Sequence, residues 1–299
     1  MRRALLRSLK SLALLPLTAW VVFELLLHLP VPHDEGRKTQ SVVTYAQRME
    51  ELHLRGPGGF LHLWQAVFRG ERLGGSSALG ITGSELLRAL GLSARLGAGA
   101  LGLAFVWAAL WTLARLTLRS RVAQAVLGIL PALVYGTPVF LLGLLVLMAT
   151  AVPNFNLGWN PFLAAGVMSV GPGIFLGVLL HDALRREEGR PYFLTALAKG
   201  LSPSQALLRH AFPNALPTLL DALPPTATAL LAGSFVAEQL FDLKGFGFLY
   251  VYSAQRLDLP VVVVAATLFS ALLFGVSAAV TVAHFAVDPR ARAAPEADR

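Results

Sequence analysis

The chain alternates between long apolar runs and polar intervals. Six of the apolar runs are long enough to cross the roughly 30 Å hydrocarbon core of a bilayer as helices. They lie at 12–29, 96–114, 122–150, 161–181, 218–240 and 259–287. The pattern therefore predicts an all-α, polytopic membrane protein with six transmembrane helices.

Prolines interrupt two of these spans. Pro131 and Pro138 lie in the third span, and Pro224 and Pro225 lie in the fifth. Because proline lacks the backbone N–H that an α-helix uses for its hydrogen bonds, we expect both helices to bend. The pair in the fifth span is a candidate hinge that would let the outer half of the helix swing.

The first span leads into a long polar interval. No small-residue cleavage site follows the span, so we expect an uncleaved transmembrane helix. It contains Glu24, an intramembrane carboxylate that either serves function or faces a helix bundle or water. Residues 31–93 carry mixed charges and glycine clusters and form the predicted extracytoplasmic segment.

These intervals divide the chain into three parts. The first transmembrane helix and the extracytoplasmic segment occupy 1–93, and a core of five spans occupies 94–292. A tail at 293–299 ends the chain. Within the core, the polar interval 182–217 is too hydrophilic to cross a bilayer.

The interval 182–217 has the pattern of two short helices. The first is predicted over Pro191–Lys199, with Gly200 as a left-handed cap at its C-terminus. The second begins at once, because Ser202 is placed as its N-cap and Gln205 stands three residues later, which is a capping-box arrangement. The interval is therefore predicted to be a defined corner and not a slack linker.

The distribution of charge indicates the orientation. The chain of 299 residues is 55% hydrophobic and 14% charged, with a formal net charge of +8. The basic residues lie at span ends and form no single patch, which favours membrane orientation over nucleic-acid binding. If both termini are inside, 15 of the 25 Lys and Arg residues are cytoplasmic, and the outer loop 151–160 has none. The interval 182–217 is then cytoplasmic.

Several chemistries have no residues to carry them. The chain has no cysteine, which excludes disulfides and thiolate metal sites. It also lacks a Gly-Lys-Ser/Thr phosphate loop, a His-Glu-x-x-His pair and a Gly-x-Ser-x-Gly elbow. We therefore predict no catalytic residue, no metal and no cofactor, and we expect ATP hydrolysis, if it drives the protein, to belong to a partner.

The interval 182–217 also carries a family resemblance. Thr195–Ser202 reads Thr-Ala-Leu-Ala-Lys-Gly-Leu-Ser, and 208–211 and 214–217 read Leu-Arg-His-Ala and Asn-Ala-Leu-Pro. This resembles the cytoplasmic signature loop of binding-protein-dependent ABC importer permeases, especially dipeptide, oligopeptide and nickel permeases, which have the MetI-like fold. Leu197 stands where that family usually has arginine.

The resemblance implies a coupling helix that docks into a cleft of an ATPase subunit. The implied contact residues are Thr195, Ala196, Leu197, Ala198, Lys199, Gly200, Leu201 and Ser202. We expect an exposed apolar side with Phe193, Leu194 and Leu197 to fill a pocket on the ATPase. Ala196 and Ala198 would permit the close approach.

A second stretch, 238–247, resembles an outer element of the same family, with Lys244 in place of its usual proline. Glu238 could lie at the pore mouth, contact a binding protein or hydrogen-bond to the local turn. Gly245 and Gly247 permit a tight turn there. The pore or gate candidates are Pro224, Pro225, Glu238, Gly245 and Gly247. Segments 68–76 and 288–292 are also similar to the family, so the resemblance covers roughly 64–292.

The resemblance implies a permease subunit of an ATP-driven importer in the bacterial inner membrane, with peptides as the expected cargo. Its implied partners are ABC ATPase subunits, a second homologous permease, an extracytoplasmic substrate-binding protein and membrane lipid, with no nucleic acid. The alternative is a secondary transporter or channel that needs no ATPase, and a membrane enzyme is third. Apart from Glu24, the spans carry no charged relay, which disfavours the alternative.

Overall fold

The computed structural model describes residues 21, 58–73, 81–150, 160–256 and 258–287. Nearly all of these residues are α-helical, apart from one π-helical turn at Leu207–Ala211. The helices are α1 (Gly59–Arg69), α2 (Gly83–Thr117), α3 (Arg121–Gly136), α4 (Val139–Thr150), α5 (Pro161–Glu188), α6 (Pro191–Ala198), α7 (Pro203–Ala206), α8 (Phe212–Leu240), α9 (Phe246–Gln255) and α10 (Leu259–Val287).

Four helical segments are long and apolar enough to cross a membrane. They are α2, α5, the segment Pro203–Leu240 that includes α8, and α10 as far as Val280. The bent pair α3 and α4 makes a fifth if it is counted as one span. The all-α polytopic fold is thus confirmed. Of the first predicted span, 12–29, only residue 21 is described, so the total of six stays a prediction.

The chain divides into two compact units. Of the described residues, the first unit comprises 95–150, 160–241 and 276–287, and it contains α3 to α8. The second comprises 21, 58–73, 81–94, 242–256 and 258–275, and it contains α1 and α9. The boundaries fall within α2 and α10.

Two glycines of α5 allow α2 to pack closely against it. A Cβ at Gly173 would lie 2.4 Å from the Cβ of Trp107, and one at Gly177 would lie 3.1 Å from the carbonyl oxygen of Ala108. Thr112 donates a hydrogen bond to the carbonyl of Gly177 at 3.1 Å. In lipid, where apolar burial gives helices no reason to associate, such close backbone approach is a main source of packing energy.

The same contacts give the relative direction of α2 and α5. Contacts advance along both helices in the same order, because Gly173 is near Trp107, Gly177 is near Ala108, and the ring of His181 lies 5.8 Å from that of Trp111. The two helices therefore run parallel, and their C-terminal ends lie at the same end of the helix bundle.

The predicted third span, 122–150, is broken. The segments Arg121–Gly136 and Val139–Ala149 meet at a bend of 100°. Pro138 cannot continue the hydrogen-bond ladder, and the hydroxyl of Thr137 donates to the carbonyl of Leu133 at 2.7 Å, which helps to end α3. The predicted bend is confirmed at Pro138, where the helix also breaks, while Pro131 stays inside an uninterrupted α3.

The parallel arrangement of α2 and α5 determines what the bent pair does. If α3 and α4 entered the membrane and returned to the same side, α5 would run antiparallel to α2. Since the two helices are parallel, the chain between them crosses once, and α3 with α4 is a broken span and not a re-entrant loop.

Candidate functional site

The corner between α6 and α7 forms from local backbone rules. Gly200 has φ +89°, which is the left-handed conformation that glycine adopts without steric cost. Leu201 donates to the carbonyl of Ala196 at 3.3 Å and Gly200 donates to that of Leu197 at 2.9 Å. These two bonds are a Schellman motif, which satisfies carbonyls at the helix C-terminus. The predicted cap at Gly200 is confirmed.

The next helix begins with the predicted capping box. The amide of Gln205 donates to the hydroxyl of Ser202 at 3.3 Å. The amide of Ser202 in turn donates to Oε1 of Gln205 at 3.1 Å. Because both ends of the corner are capped within five residues, the directions of α6 and α7 are fixed relative to each other.

One face of α6 belongs to the interior of the protein. Phe193 and Ala196 are each 5% exposed. They belong to a continuous buried cluster that extends into α2, α5 and α8 and contains Ala104, Ala108, Leu176, Leu180, Ala183, Leu184, Ala206, Ala211, Ala215, Leu219 and Ala222. Most of its members are alanines, which brings these backbones close together. The corner is thus packed onto the helices that cross the membrane.

The opposite face of α6 is exposed. Leu194, Thr195, Ala198 and Lys199 lie at helical spacing on it, and Leu194 is 57% exposed. We call these four residues the loop surface. A leucine held exposed on a capped, rigid helix is suited to contact another protein.

Part of the predicted contact set does not lie on this surface. The structure places Ala196 in the interior and leaves Leu197 half-buried, so the expected exposed apolar side with Phe193 and Leu197 is wrong. Of that predicted side, the structure exposes only Leu194. The sequence did contain a signal for this arrangement. Phe193 and Leu197 are four residues apart and so lie on one face of the helix, whereas Leu194 lies at the edge of that face.

A π-helical turn at Leu207–Ala211 leads from α7 into α8. The amide of Phe212 donates to the carbonyl of Leu207, five residues back. Such turns occur often at functional sites, and this one leaves Leu208 64% exposed while Ala211 is buried. Arg209 and His210 are exposed in the same turn.

Charged side chains stabilise the junction of α5 and α6. Arg185 forms an ion pair with Glu188 at 2.8 Å, and the hydroxyl of Tyr192 donates a hydrogen bond to the carboxylate of Glu187. Burial, and then the Glu187 carboxylate, raise the pKa of Tyr192 above its ordinary value. The hydroxyl therefore remains a donor at physiological pH.

Polar side chains also lie close together near the C-terminal ends of α2 and α5. His181 is buried edge-on against Trp111, and the Arg115 guanidinium lies 5.6 Å from the Trp111 ring centre. Arg115 also donates to the side-chain oxygen of Gln124 at 2.6 Å, while Gln124 donates to the carbonyl of Leu118 at 2.6 Å. These bonds clamp the short connection 118–120 between α2 and α3.

The predicted pore and gate residues lie on α8 and at the start of α9. The helix α8 continues without interruption through Pro224 and Pro225. Glu238 has no exposed surface and has an interaction partner within the chain. Glu238 therefore does not reach a pore mouth or a binding protein in this conformation, which leaves the structural role that the sequence also allowed.

The turn after α8 uses a residue that the sequence did not suggest. Asp242 has φ 49°, whereas neither Gly245 nor Gly247 has a positive φ. Gly245 instead precedes α9 in an extended conformation. The ammonium of Lys244 pairs with Asp242 and lies 3.9 Å from the ring centre of Phe248. Lys244 therefore helps to order this turn at the position where the resembled family usually has proline.

Possible metal-binding groups among the described residues are the side chains of His, Asp and Glu. Among the residues that the structure describes, no group of three or more His, Asp or Glu could hold a metal ion. Among the described histidines, His181 packs against Trp111 and His62 and His210 are exposed.

Comparison with known proteins gives a consistent family. Residues 100–293 match the family described as the binding-protein-dependent transport system inner membrane component. A dipeptide transport system permease protein of Lactococcus lactis subsp. cremoris is 29% identical over 211 residues, which cover 68% of this chain and 69% of that protein. A glutathione transport system permease protein of Escherichia coli is 30% identical over 165 residues, covering 52% of this chain and 53% of the relative.

Solved structures share the fold. An amino acid ABC transporter matches with a TM-score of 0.58 at 12% identity, over 68% of this chain and 94% of that one. The MetNI methionine ABC transporter in an inward-facing conformation matches with a TM-score of 0.53 at 18% identity, over 76% and 98%. At these identities the similarity supports the architecture alone.

Proposed function

We propose, given that this chain belongs to the family of binding-protein-dependent transport system inner membrane components, that it forms half of the pore of an ATP-driven importer and couples to a separate ATPase through residues 182–217. A second homologous permease supplies the other half of the pore. An extracytoplasmic binding protein delivers the cargo. In this scheme ATP hydrolysis belongs to the ATPase subunits.

The loop surface carries the proposal. Its underside, Phe193 and Ala196, is packed in the same buried cluster as residues of α2, α5 and α8. A force applied to Leu194 and its neighbours is therefore transmitted to three membrane-crossing helices through close-packed side chains, which deform little. The capped corner at Gly200 and Ser202 keeps the loop from absorbing that force by bending.

The orientation follows from charge and direction together. The C-terminal ends of α2 and α5 lie at one end of the bundle, and the arginines near them include Arg115, Arg119, Arg185 and Arg186. Because Lys and Arg are enriched in cytoplasmic loops, this end is the cytoplasmic one. The loop surface is then on the side where ATP is available, and both termini are expected there.

The cargo is proposed from the relatives. Two relatives are named for dipeptide and glutathione transport. Both are short peptides, so a short peptide is the proposed cargo of this chain. Selection among peptides would fall to the binding protein, since a permease contacts its cargo only in passing.

The test is to replace Leu194 by serine in the assembled transporter. Burying a leucine side chain at an interface contributes about 2 kcal/mol, which is a factor of roughly 30 in Kd. We expect Leu194→Ser to reduce both co-purification of the ATPase and ATP-dependent uptake of a dipeptide. The matched control is Leu118→Ser, because Leu118 is 46% exposed in the other loop at the same end of the bundle.

A second variant separates docking from rigidity. Gly200→Val meets no neighbouring atom, because a Cβ there has nothing within 4 Å, but it strains the left-handed backbone. We expect it to retain a folded chain and to reduce uptake per bound ATPase. Unchanged ATPase binding and uptake in both variants would refute coupling through this loop. Uptake that persists without any ATPase would instead favour a secondary transporter.

A further inference from the structure

We propose that the turn between α3 and α4, Gly136–Thr137–Pro138, lines the water-filled path by which the cargo crosses the membrane. The proposal rests on the proposed function and assigns a position in the path to particular residues. It arises from a conflict: the turn is non-helical, lies deep in the membrane and is not covered by its own chain.

The depth of the turn follows first from helix lengths. At 1.5 Å per residue, α3 is about 24 Å long and α4 about 18 Å long. With a change of direction of 100° between them, the two can cover at most about 27 Å along the membrane normal, close to the roughly 30 Å hydrocarbon core. A single crossing therefore needs nearly the full combined length of α3 and α4 along the membrane normal. The turn that joins the two helices then lies within the hydrocarbon core.

A second, independent contact gives the same depth. A Cβ at Gly171 would lie 3.8 Å from Cγ1 of Val134, only three residues before Thr137. Nearby on α5, Gly173 faces Ala104 and Trp107, which stand at the middle of the predicted span 96–114. The end of α3 is therefore near the middle of the bilayer.

The turn leaves backbone polar groups open at this depth. Thr137 donates to the carbonyl of Val134, and the amides of residues 141 and 142 donate to the carbonyl of Pro138. Within the described ranges, the carbonyls of Tyr135 and Gly136 and the amides at 139 and 140 have no backbone partner across the turn. These are the groups that helix ends leave unpaired.

Lipid cannot cover such groups. Each unsatisfied backbone group in hydrocarbon is costly, so non-helical backbone at membrane depth is tolerated only inside protein or beside water. Gly136 and Pro138 are exposed, and so are the flanking rings of Tyr135 and Phe140, at 52% and 53%. The chain itself therefore does not bury the turn.

The bend favours water over a covering protein. Helices pack along straight ridges and grooves, so a partner helix that lies along one arm leaves the corner between the arms open. The open carbonyls and amides at this corner are groups to which water can hydrogen-bond. The same groups can exchange hydrogen bonds with a passing polar molecule without retaining it, as a path for varied cargo requires.

The absence of cysteine allows a direct test. In membranes that contain the complete transporter and are open on both sides, Gly136→Cys is treated with a positively charged methanethiosulfonate during ATP turnover. The mass shift of this chain reports the reaction. Gly102→Cys in α2 is the matched control, since both glycines are exposed and a Cβ at either meets nothing within 4 Å.

We expect Gly136→Cys to react at least about tenfold faster than Gly102→Cys, because a charged reagent is excluded from hydrocarbon. Thr137→Cys, a small change in volume, serves as a second probe if Gly136→Cys does not accumulate. A rate at the turn no higher than at Gly102 in a transporting complex overturns the inference while the proposed function stands. Rapid reaction at the turn in a complex without ATP-dependent uptake supports an aqueous path and counts against the importer instead.

Discussion

Helix α5 and the pair α3 and α4 differ in how much of their surface is buried within the chain. Of the 28 residues of α5, 13 are buried within the chain, whereas α3 has no buried residue. The difference indicates that α5 is held in place by packing against its own chain. The surfaces of α3 and α4 instead face an environment outside the chain. We propose that this environment includes water at the turn.

Glycine is used differently in the two regions. In α5, Gly173 and Gly177 permit close approach of α2, since a Cβ would meet backbone or the base of a side chain. In α3, a Cβ at Gly128 or Gly136 would meet nothing within 4 Å. The residue type alone therefore does not reveal which helices are packed and which are open.

The largest expected effect tests how far the packed region extends into the loop. Ala196→Asp introduces a charge where the side chain is 5% exposed. An unpaired buried charge costs about 3 to 5 kcal/mol, so we expect the variant to unfold at a much lower temperature in detergent. Ala198→Asp, on the exposed face of the same helix, is the control and should unfold like the wild type. Equal melting temperatures would show that α6 is not anchored.

Glycine substitutions should give effects of opposite sign in the two regions. Gly173→Ala places a Cβ 2.4 Å from that of Trp107 and is expected to destabilise the chain by about 1 to 3 kcal/mol. Gly128→Ala meets no atom and should be neutral or stabilise α3 by up to about 1 kcal/mol. Unfolding followed by tryptophan fluorescence in detergent measures both, and destabilisation of similar size would contradict the contrast.

Loss of a threonine hydroxyl should also distinguish the regions. Thr112→Val removes a buried donor to the carbonyl of Gly177 and should cost about 1 kcal/mol. Thr137→Val removes the bond to Leu133 at a half-exposed turn, where water can replace it, and should cost less. A larger loss at Thr137 than at Thr112, measured in the same unfolding assay, would mean that the turn is dry.

The smallest effect concerns pH at the edge of the packed region. The pKa of Tyr192 is raised above 10.0, by burial first and by Glu187 second. A group whose pKa is raised on folding adds stability below its unfolded pKa and loses it as the pH rises through the folded value. The stability difference between wild type and Tyr192→Phe should therefore be small and constant at neutral pH and should shrink only above pH 10. A difference that changes between about pH 6 and 8 would point to another group.

Local rules predicted the loop well. The cap at Gly200 and the capping box at Ser202 each depend on a few adjacent residues, so the sequence contains all that decides them. The apolar runs predicted the described spans for the same reason, because length and hydropathy alone decide whether a helix can cross a membrane.

Features that depend on tertiary packing were harder to predict from the sequence. An amphipathic pattern identifies an apolar stripe on α6 but not whether its own chain or a partner covers it, which is why Ala196 was assigned to the wrong surface. Pro138 marked an irregularity, yet a proline can either kink or end a helix, and the choice depends on neighbours such as Thr137. The burial of Glu238 depends on packing that no local pattern records.

The clamp between Arg115 and Gln124 bears on how the protein is made. It closes a connection of only three residues, Leu118 to Ser120, between α2 and α3. By itself α3 is too short to span and is followed by exposed polar backbone, so it would be a poor stop for a ribosome-bound translocation channel. Held to α2 by this clamp, it can leave that channel together with a strongly apolar neighbour. We therefore expect the unfavourable segment to enter the bilayer as half of a pair.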